Sequence, residues 1–193
     1  MVELGGTALL VLAAGLSQRF GEGNKLMAVL QGKPLAVHIA DTVAEAGFAH
    51  KLVVCRQGDA ALQAEFAGRG FEVVVNPDSG RGQASSLGLG VAALVQRHPQ
   101  AILVCLADMP FVTMAHVLAV VGALGGSVSV AASRLPSGQA SPPAAFTPAH
   151  FEALTRLEGD KGARSLLAGA YLVEAPEGML ADLDTPADFA GLA

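Results

Sequence analysis

TALLVLAAG occupies residues 7–15 and joins a continuous apolar run to three small residues. A run of this length without apolar–polar alternation is typical of a strand that is covered on both faces, as in a parallel sheet. Similar β-branched or Leu-rich runs predict four more strands, at residues 51–55, 71–75, 101–106 and 127–133. The sequence therefore predicts a mostly parallel sheet whose first strand covers residues 7–13.

Segments with a helical pattern separate these five runs. Residues 34–46, 59–67, 85–96 and 114–124 are each long enough for a helix that crosses over between parallel strands. Pro34 fits the first turn of the first helix, and Gly47 and Gly125 fit helix ends. This alternation predicts an α/β fold of three layers, with helices on both faces of a mostly parallel central sheet.

The pattern changes after Arg134. Residues 136–138 predict a turn, and the prolines at residues 141–143 predict an interruption of strand pairing. Further elements are predicted beyond it: helices at 151–157 and 161–168, a strand at 170–174 and a closing helix at 186–192. Because no linker, repeat or low-complexity segment is found, residues 1–193 are predicted to form a single domain.

The composition is apolar and poor in charge. Hydrophobic residues make up 52% of the chain, charged residues make up 15%, and the formal net charge is −5. Such a chain is a poor match for the phosphate backbone of nucleic acid, so any anionic ligand must meet a local site. The longest uncharged stretch, residues 109–133, contains Pro110 and a Gly-Gly-Ser turn signal, which favours helix, turn and strand over a membrane span.

Two features predict a cytoplasmic protein. The N-terminus carries Glu3 and no basic region before its apolar run, which argues against a secretory signal. Cys55 and Cys105 lie within apolar strand-like runs, which predicts buried thiols rather than a disulfide framework or a metal cluster.

The loop after the first strand is the first candidate ligand site, because parallel α/β sheets bind ligands beyond the carboxyl ends of their strands. Its small residues let a ligand approach the backbone, and Arg19 and Lys25 follow with side chains suited to phosphate oxygens. The G-x-x-x-x-G-K-[ST] and G-x-G-x-x-G motifs are absent, which disfavours a P-loop NTPase and a dinucleotide oxidoreductase. A flexible, solvated loop is the alternative interpretation.

Later strand ends carry further candidates. Residues 76–87 open a helix with hydroxyls and amides that could read a base or ribose, although Ser85 could simply cap the helix. Asp108 follows a buried strand, where an unpaired carboxylate is costly. A Mg²⁺ ion shared with substrate phosphates suits it, and a structural aspartate is the alternative. Asp184 is a second carboxylate candidate, although Asp184 or Thr185 could cap the helix that begins at Pro186.

Together these motifs resemble those of the MobA-like nucleotidyltransferases and, within them, the molybdenum cofactor cytidylyltransferases. The resemblance covers almost the whole chain and implies a three-layer Rossmann-like nucleotidyltransferase fold. The matching motifs are, in order, Leu12-Ala13-Ala14-Gly15 with Ser17, Arg19, Gly21 and Lys25; Asn76-Pro77 with residues 82–87; Leu106-Ala107-Asp108-Met109-Pro110; Gly159-Asp160-Lys161-Gly162-Ala163-Arg164; and Asp184-Thr185-Pro186.

The resemblance implies an activity. A nucleoside monophosphate would pass from an NTP to the terminal phosphate of molybdopterin that already carries molybdenum, with Mg²⁺ as cofactor and release of pyrophosphate. Residues 12–15 and 82–87 are similar to the branch that uses CTP. The expected partners are CTP, the pterin and, transiently, a molybdoenzyme or its chaperone.

The resemblance also implies roles for individual residues. Arg19, Lys25 and Asp108 would be catalytic, Asp108 and Asp184 would bind the metal, and Asp160 and Arg164 would lie on the pterin side. The nucleotide would contact Leu12, Ala13, Ala14, Gly15, Arg19, Lys25, Gly82 and Ser85. An acceptor phosphate is already ionised at neutral pH, so catalysis reduces to in-line positioning and charge stabilisation. Replacing Lys25 or Asp108 is therefore predicted to abolish most turnover and leave the fold intact.

Two other functions stay open at this point. The same transfer could use a sugar phosphate or another phosphorylated metabolite as acceptor, or GTP as donor. A non-catalytic nucleotide-binding protein that delivers the cofactor to a molybdoenzyme belongs to a different class. The joint presence of Arg19, Lys25 and Asp108 argues against that last function.

Overall fold

The computed structural model describes residues 2–17, 20–21, 23–157, 164–190 and 192. Within these residues the chain forms nine strands: β1 (Thr7–Ala13), β2 (Val29–Leu30), β3 (Lys33–Pro34), β4 (His50–Arg56), β5 (Glu72–Asn76), β6 (Ala101–Leu106), β7 (Val130–Arg134), β8 (Ala140–Phe146) and β9 (Tyr171–Glu174). The same residues form five α-helices: α1 (Leu35–Ala44), α2 (Ala60–Ala67), α3 (Gln83–Val95), α4 (Met114–Gly122) and α5 (Phe151–Thr155).

Seven strands form one sheet in the order β5-β4-β1-β6-β8-β7-β9. β1 pairs in parallel with β4 and β6, β4 with β5, and β7 with β9, whereas β8 runs antiparallel to both of its neighbours. The mostly parallel sheet is thus confirmed. β4 lies on one side of β1 and β6 on the other, so the loops that follow β1 and β6 diverge, and open α/β sheets bind ligands at such a point.

Burial on both faces explains the continuous apolar runs. All seven residues of β1 are buried. Leu9 and Val11 pack with apolar residues of α1, α2 and α4 on one face, while Leu10 and Leu12 pack with those of α3 and α5 on the other. The three-layer α/β arrangement follows, and no helix among the described residues is both long and apolar enough to cross a bilayer.

The predicted bounds of β1 and β6 agree with the structure residue for residue. Cys55 and Cys105 are free, buried thiols, as expected, and burial raises the pKa of each to about 12. The predicted helix at 161–168 is wrong over its described part, because residues 164–169 form turns. The closing helix is also shorter than predicted: one 3₁₀ turn, Pro186–Phe189, ends where Ala190 becomes extended.

The prediction that prolines interrupt strand pairing near residue 141 is confirmed, because Pro142 and Pro143 lie between the paired stretches 140–141 and 144–146. Both prolines nevertheless belong to a strand, which the sequence did not predict. β8 contains Pro142 and Pro143 and lies between β6 and β7. β6 pairs only with the stretch from Ala144 to Phe146, beyond the prolines. The register with β7 shifts between Ala132 and Ser133, so the prolines lie in an irregularity that requires no ladder hydrogen bond from them.

Gly90 allows α3 to approach the sheet closely. A Cβ atom at this position would lie 2.5 Å from Leu10 Cδ1 and 3.0 Å from Val54 Cγ2, and both of these side chains are fully buried. We therefore expect Gly90→Ala to lower the free energy of unfolding by about 1–3 kcal/mol, the usual cost of overpacking. Urea denaturation of the variant and the wild type measures this difference.

Gly122→Ala is the matched control for this prediction. Gly122 ends α4, and no described atom lies within 4 Å of a Cβ atom built there. This variant should be as stable as the wild type or slightly more stable, because alanine is the better helix former. Equal stability of the Gly90→Ala protein and the wild type would contradict the close-packing argument.

Candidate active site

A cavity of about 450 Å³ opens at the carboxyl edge of the parallel strands, where the loops after β1 and β6 diverge. Three parts of the chain contribute most of its wall: the loop after β1, the stretch that leads into α3, and two aspartates that are distant in sequence. The lining residues used below are Leu12, Ala14, Gly15, Ser17, Lys25, Gly82, Gln83, Ser86, Asp108 and Asp184.

Lys25 lies between the two aspartates of this cavity. Its Nζ donates a hydrogen bond to Asp108 Oδ2 at 2.7 Å and another to Asp184 Oδ1. The lysine side chain is 9% exposed, whereas the carboxylates are 22% and 17% exposed. The ammonium is therefore enclosed, and the two carboxylates lie at the cavity surface.

The electrostatic balance at Lys25 favours the charged form. Burial alone would lower the pKa of Lys25, but the charges and hydrogen bonds of Asp108 and Asp184 outweigh it, and the pKa is raised above its ordinary value of 10.5. The lysine thus carries a proton at neutral pH. The three groups together have a net negative charge, so a triphosphate needs an additional cation to approach them.

Backbone contacts bring Asp184 to Asp108. The N–H of Leu183 donates to the carbonyl oxygen of Asp108 at 3.3 Å, which joins the two segments directly. The next turn is closed by Asp188, whose Oδ2 accepts from the N–H groups of Asp184 and Thr185 at 2.9 and 2.7 Å. Both hydrogen bonds lower the pKa of Asp188, and the bond from the N–H of Thr185 has the larger effect. Thr185 is the N-cap of the 3₁₀ turn, so the capping role falls to Thr185 rather than to Asp184.

Another part of the cavity wall is built at the start of α3. Gly82, with φ 95°, is the N-cap of this helix, so the interpretation of Ser85 as the cap is wrong: α3 begins two residues earlier than predicted. The Ser85 hydroxyl accepts from Asn76 Nδ2 at 3.0 Å and donates to the Gly82 carbonyl at 2.9 Å. Ser86, one residue further along, lines the cavity instead.

Ser86 lies in the stretch 76–87 that is predicted to contact the nucleotide, but Ser85 and not Ser86 is named there as a site residue. The Oγ of Ser86 accepts a hydrogen bond of 2.9 Å from Asn76 Nδ2. The residue is buried and lines the cavity. Helical spacing contains the signal that could have found it. In a helix that begins at Gln83, residues three apart share a face, and Gln83 and Ser86 both line the cavity.

The sequence of the chain matches the family description "MobA-like NTP transferase domain" over residues 9–175. The chain belongs to the MobA-like NTP transferase family. It is accordingly a nucleotidyltransferase, and a nucleoside triphosphate is its substrate.

Two known proteins, one of them in two crystal structures, illustrate this membership. "Purine catabolism protein PucB" of Bacillus subtilis (strain 168) is 32% identical over 191 residues, which cover 92% of this chain and 91% of that protein. The crystal structure of Rv0371c from Mycobacterium tuberculosis H37Rv is 27% identical with a TM-score of 0.81, covering 95% of each chain. The manganese complex of Rv0371C is 25% identical with a TM-score of 0.79, covering 96% of this chain and 97% of the other.

The cavity of this MobA-like protein contains most of the predicted site residues. Seven of them line it together: Leu12, Ala14, Gly15, Lys25, Gly82, Asp108 and Asp184. Ala13 instead packs into the core on the α1 face, as the alternation of side chains along β1 requires. Ser85 and the exposed Arg164 do not line the cavity, and Arg19 and Asp160 lie outside the described residues.

The donor set of this MobA-like site fits a hard divalent cation. Asp108 and Asp184 both contact Lys25 Nζ. A single metal ion near that position is therefore within reach of both carboxylates. Within the described residues, no group of three or more His, Cys, Asp or Glu side chains could hold a metal. Mg²⁺ typically takes one or two protein carboxylates and completes its shell with substrate phosphates and water, and this site offers that number.

Proposed function

We propose that this protein transfers CMP from CTP to the terminal phosphate of molybdopterin, with a divalent cation as cofactor and pyrophosphate as second product. The observation that carries the proposal is the Lys25 ammonium held between Asp108 and Asp184 in a cavity at the sheet's carboxyl edge. One fixed cation and two carboxylates for a second cation are the groups that phosphoryl-type transfer uses.

The residues of this site stabilise charge rather than move protons. An ionised oxygen of the acceptor phosphate attacks the α-phosphorus of the nucleotide, and the bond from that phosphorus to the bridging oxygen breaks as pyrophosphate leaves. Lys25 would donate hydrogen bonds to the phosphate oxygens and offset their charge. No histidine lines the described part of the cavity, in keeping with a reaction that needs no general base.

Asp108 and Asp184 would hold the cation, which when bound supplies positive charge to the α-phosphate and the departing pyrophosphate. The Rv0371c manganese complex supports this part of the proposal, because it is a complex of a relative with a divalent ion. Arg19 would add a second basic side chain to the triphosphate, and Asp160 and Arg164 would face the pterin.

Ala14 and Gly15 support the choice of CTP. Both lie on the cavity wall, and the Leu-Ala-Ala-Gly run that contains them resembles the CTP-using branch. An alanine Cβ at position 14 leaves less space in the cavity than glycine would, and a pyrimidine base requires less space than a purine base.

We also propose a cytoplasmic location. Cys55 and Cys105 are free and buried, which suits a reducing compartment.

A second acceptor is favoured by one observation. The PucB relative is described as a purine catabolism protein, so a related phosphorylated metabolite of that process is the alternative acceptor. Both proposals are compatible if the finished pterin cofactor, delivered by transient contact, serves an enzyme of purine breakdown.

The test is pyrophosphate release by the purified protein with Mg²⁺, molybdopterin and either CTP or GTP. We expect release with CTP that depends on the pterin, and isothermal titration should show tighter binding of CTP than of GTP. Tighter GTP binding would overturn the choice of base. Release with CTP only when a sugar phosphate replaces the pterin would overturn the acceptor, and nucleotide binding without any release would indicate a delivery protein.

A further inference from the structure

Asp59 stands at the N-cap of α2, yet its side chain makes no capping hydrogen bond. Aspartate at this position usually accepts from an N–H group of the first turn and stabilises the helix by about 1 kcal/mol. Here Oδ2 accepts instead from Arg56 Nε at 2.7 Å and from Asn24 Nδ2 at 3.1 Å. The Asp59 side chain is 13% exposed, and the hydrogen bonds of Oδ2 go to these two side chains rather than to the backbone of α2.

Asn24 uses both ends of its amide. Its Nδ2 donates to Asp59, while its Oδ1 accepts from the N–H of Leu26 at 3.0 Å and caps the 3₁₀ turn Lys25–Met27. Because a backbone N–H can only donate, the atom that faces Leu26 is the oxygen, and Nδ2 must point to Asp59. A continuous chain of contacts therefore runs from the end of β4 through Asp59 to the residue next to Lys25.

The loop before Lys25 needs such an anchor. Gly21 and Gly23 have positive φ values of 84° and 110°. Glycine adopts such values readily, but it also leaves the unbound loop many other conformations. Among the described residues, the backbone N–H of Lys25 contacts only Ser17 Oγ, at the long distance of 3.4 Å. The Asn24–Asp59 hydrogen bond joins residues 35 apart in the chain and ties this loop to the sheet.

We propose that Asp59 is a positioning residue of the nucleotidyl-transfer site. By holding Asn24, it sets the 3₁₀ turn from which Lys25 presents its ammonium to Asp108 and Asp184. The inference rests on the proposed function in one respect, namely that Lys25 binds the triphosphate. The position of Lys25 itself can be tested without any nucleotide.

The test is acylation of lysines at neutral pH with an amine-reactive ester, followed by peptide mass spectrometry. Lys25 should react slowly in the wild type, because it is enclosed and paired, with Lys51 as reference within the same chain. Asn24→Asp replaces the amide donor by a second carboxylate, which repels that of Asp59. Asp59→Ala removes the acceptor of the Asn24 hydrogen bond. We expect Lys25 to react about tenfold faster in each, the scale of a lost hydrogen bond to a charged group.

Two further variants separate positioning from general stability. Asp59→Asn retains an acceptor oxygen for Asn24 and should keep Lys25 slow. The exchanged pair Asn24→Asp with Asp59→Asn restores a donor opposite an acceptor and should return Lys25 to the slow rate, even where Asn24→Asp alone folds poorly. Asp41→Ala is the matched control, because Asp41, like Asp59, accepts from two side chains, here Lys33 and Arg69, and does not line the cavity.

Fast acylation of Lys25 together with a raised KM for the NTP, and rescue of both by the exchanged pair, would support the proposal. Lys25 that stays slow in folded Asp59→Ala, or a lowered melting temperature with an unchanged acylation rate, would overturn it and leave Asp59 a stabilising residue of α2. If the wild type releases no pyrophosphate from CTP while the acylation pattern holds, the proposed substrates are wrong and the positioning role stands.

Discussion

Asp108→Asn should lower the rate of nucleotidyl transfer by about 10³-fold, the upper part of the range for removal of one preorganised charge-stabilising group. Asparagine keeps an oxygen that can accept from Lys25, which lies 2.7 Å from Asp108 Oδ2. It removes the negative charge that would bind the divalent cation. The loss should therefore appear in single-turnover rates at saturating CTP and Mg²⁺, while the affinity for CTP without metal changes little.

Asp182→Asn is the matched control for this experiment. Asp182 is exposed and lies two residues before Asp184 on the same segment, but it does not line the cavity. The control variant should retain the wild-type rate. A rate for Asp108→Asn within a fewfold of the wild type would show that this carboxylate has no part in the chemistry.

Lys25→Met should abolish most turnover and also destabilise the protein. The variant leaves the carboxylates of Asp108 and Asp184 together without the ammonium that both now contact. Removing one partner of a buried ion pair costs about 3–5 kcal/mol, and the partial exposure of the carboxylates places the expected loss at about 3 kcal/mol. Urea denaturation measures it. The structure thus adds a cost in stability to the prediction that the fold stays intact.

The same variant should bind Mn²⁺ more tightly when no nucleotide is present. In the wild type the ammonium occupies the space between the two carboxylates, so a divalent ion must compete with it. Without the ammonium, we expect the dissociation constant for Mn²⁺ to fall at least about tenfold, which corresponds to 1.4 kcal/mol. Electron paramagnetic resonance of free Mn²⁺ measures this value. Weaker Mn²⁺ binding by Lys25→Met would contradict the competition.

The stability difference between the wild type and Lys25→Met should depend on pH in one direction. The pKa of Lys25 is raised above its ordinary value of 10.5, so the folded state holds the proton more tightly than the unfolded state. The contribution of Lys25 is then fully present below about pH 10.5 and is lost as the pH rises through the folded-state pKa. A difference that grows at alkaline pH would contradict the ion-pair assignment.

Local patterns were sufficient to predict the part of the fold that carries the site. β1 and β6 are buried on both faces, so their residues form unbroken apolar runs with clear ends. β8 escaped prediction, because its prolines are acceptable only where neither neighbour requires their missing N–H groups. That condition depends on the register with β6 and β7, which no local pattern contains.

The candidate residues themselves could be recognised from the chain, since Lys25, Asp108 and Asp184 lie in motifs next to strand ends or turns. Their pairing could not, because Lys25 is 83 residues from Asp108 and 159 from Asp184. The contact depends on the order of β1 and β6 in the sheet and on the bond from Leu183 to Asp108. Composition and periodicity record the burial of each element, so they predict the strands and helices. A site at the edge of the sheet joins side chains from segments that are far apart in sequence, so only the tertiary packing of those segments determines its geometry.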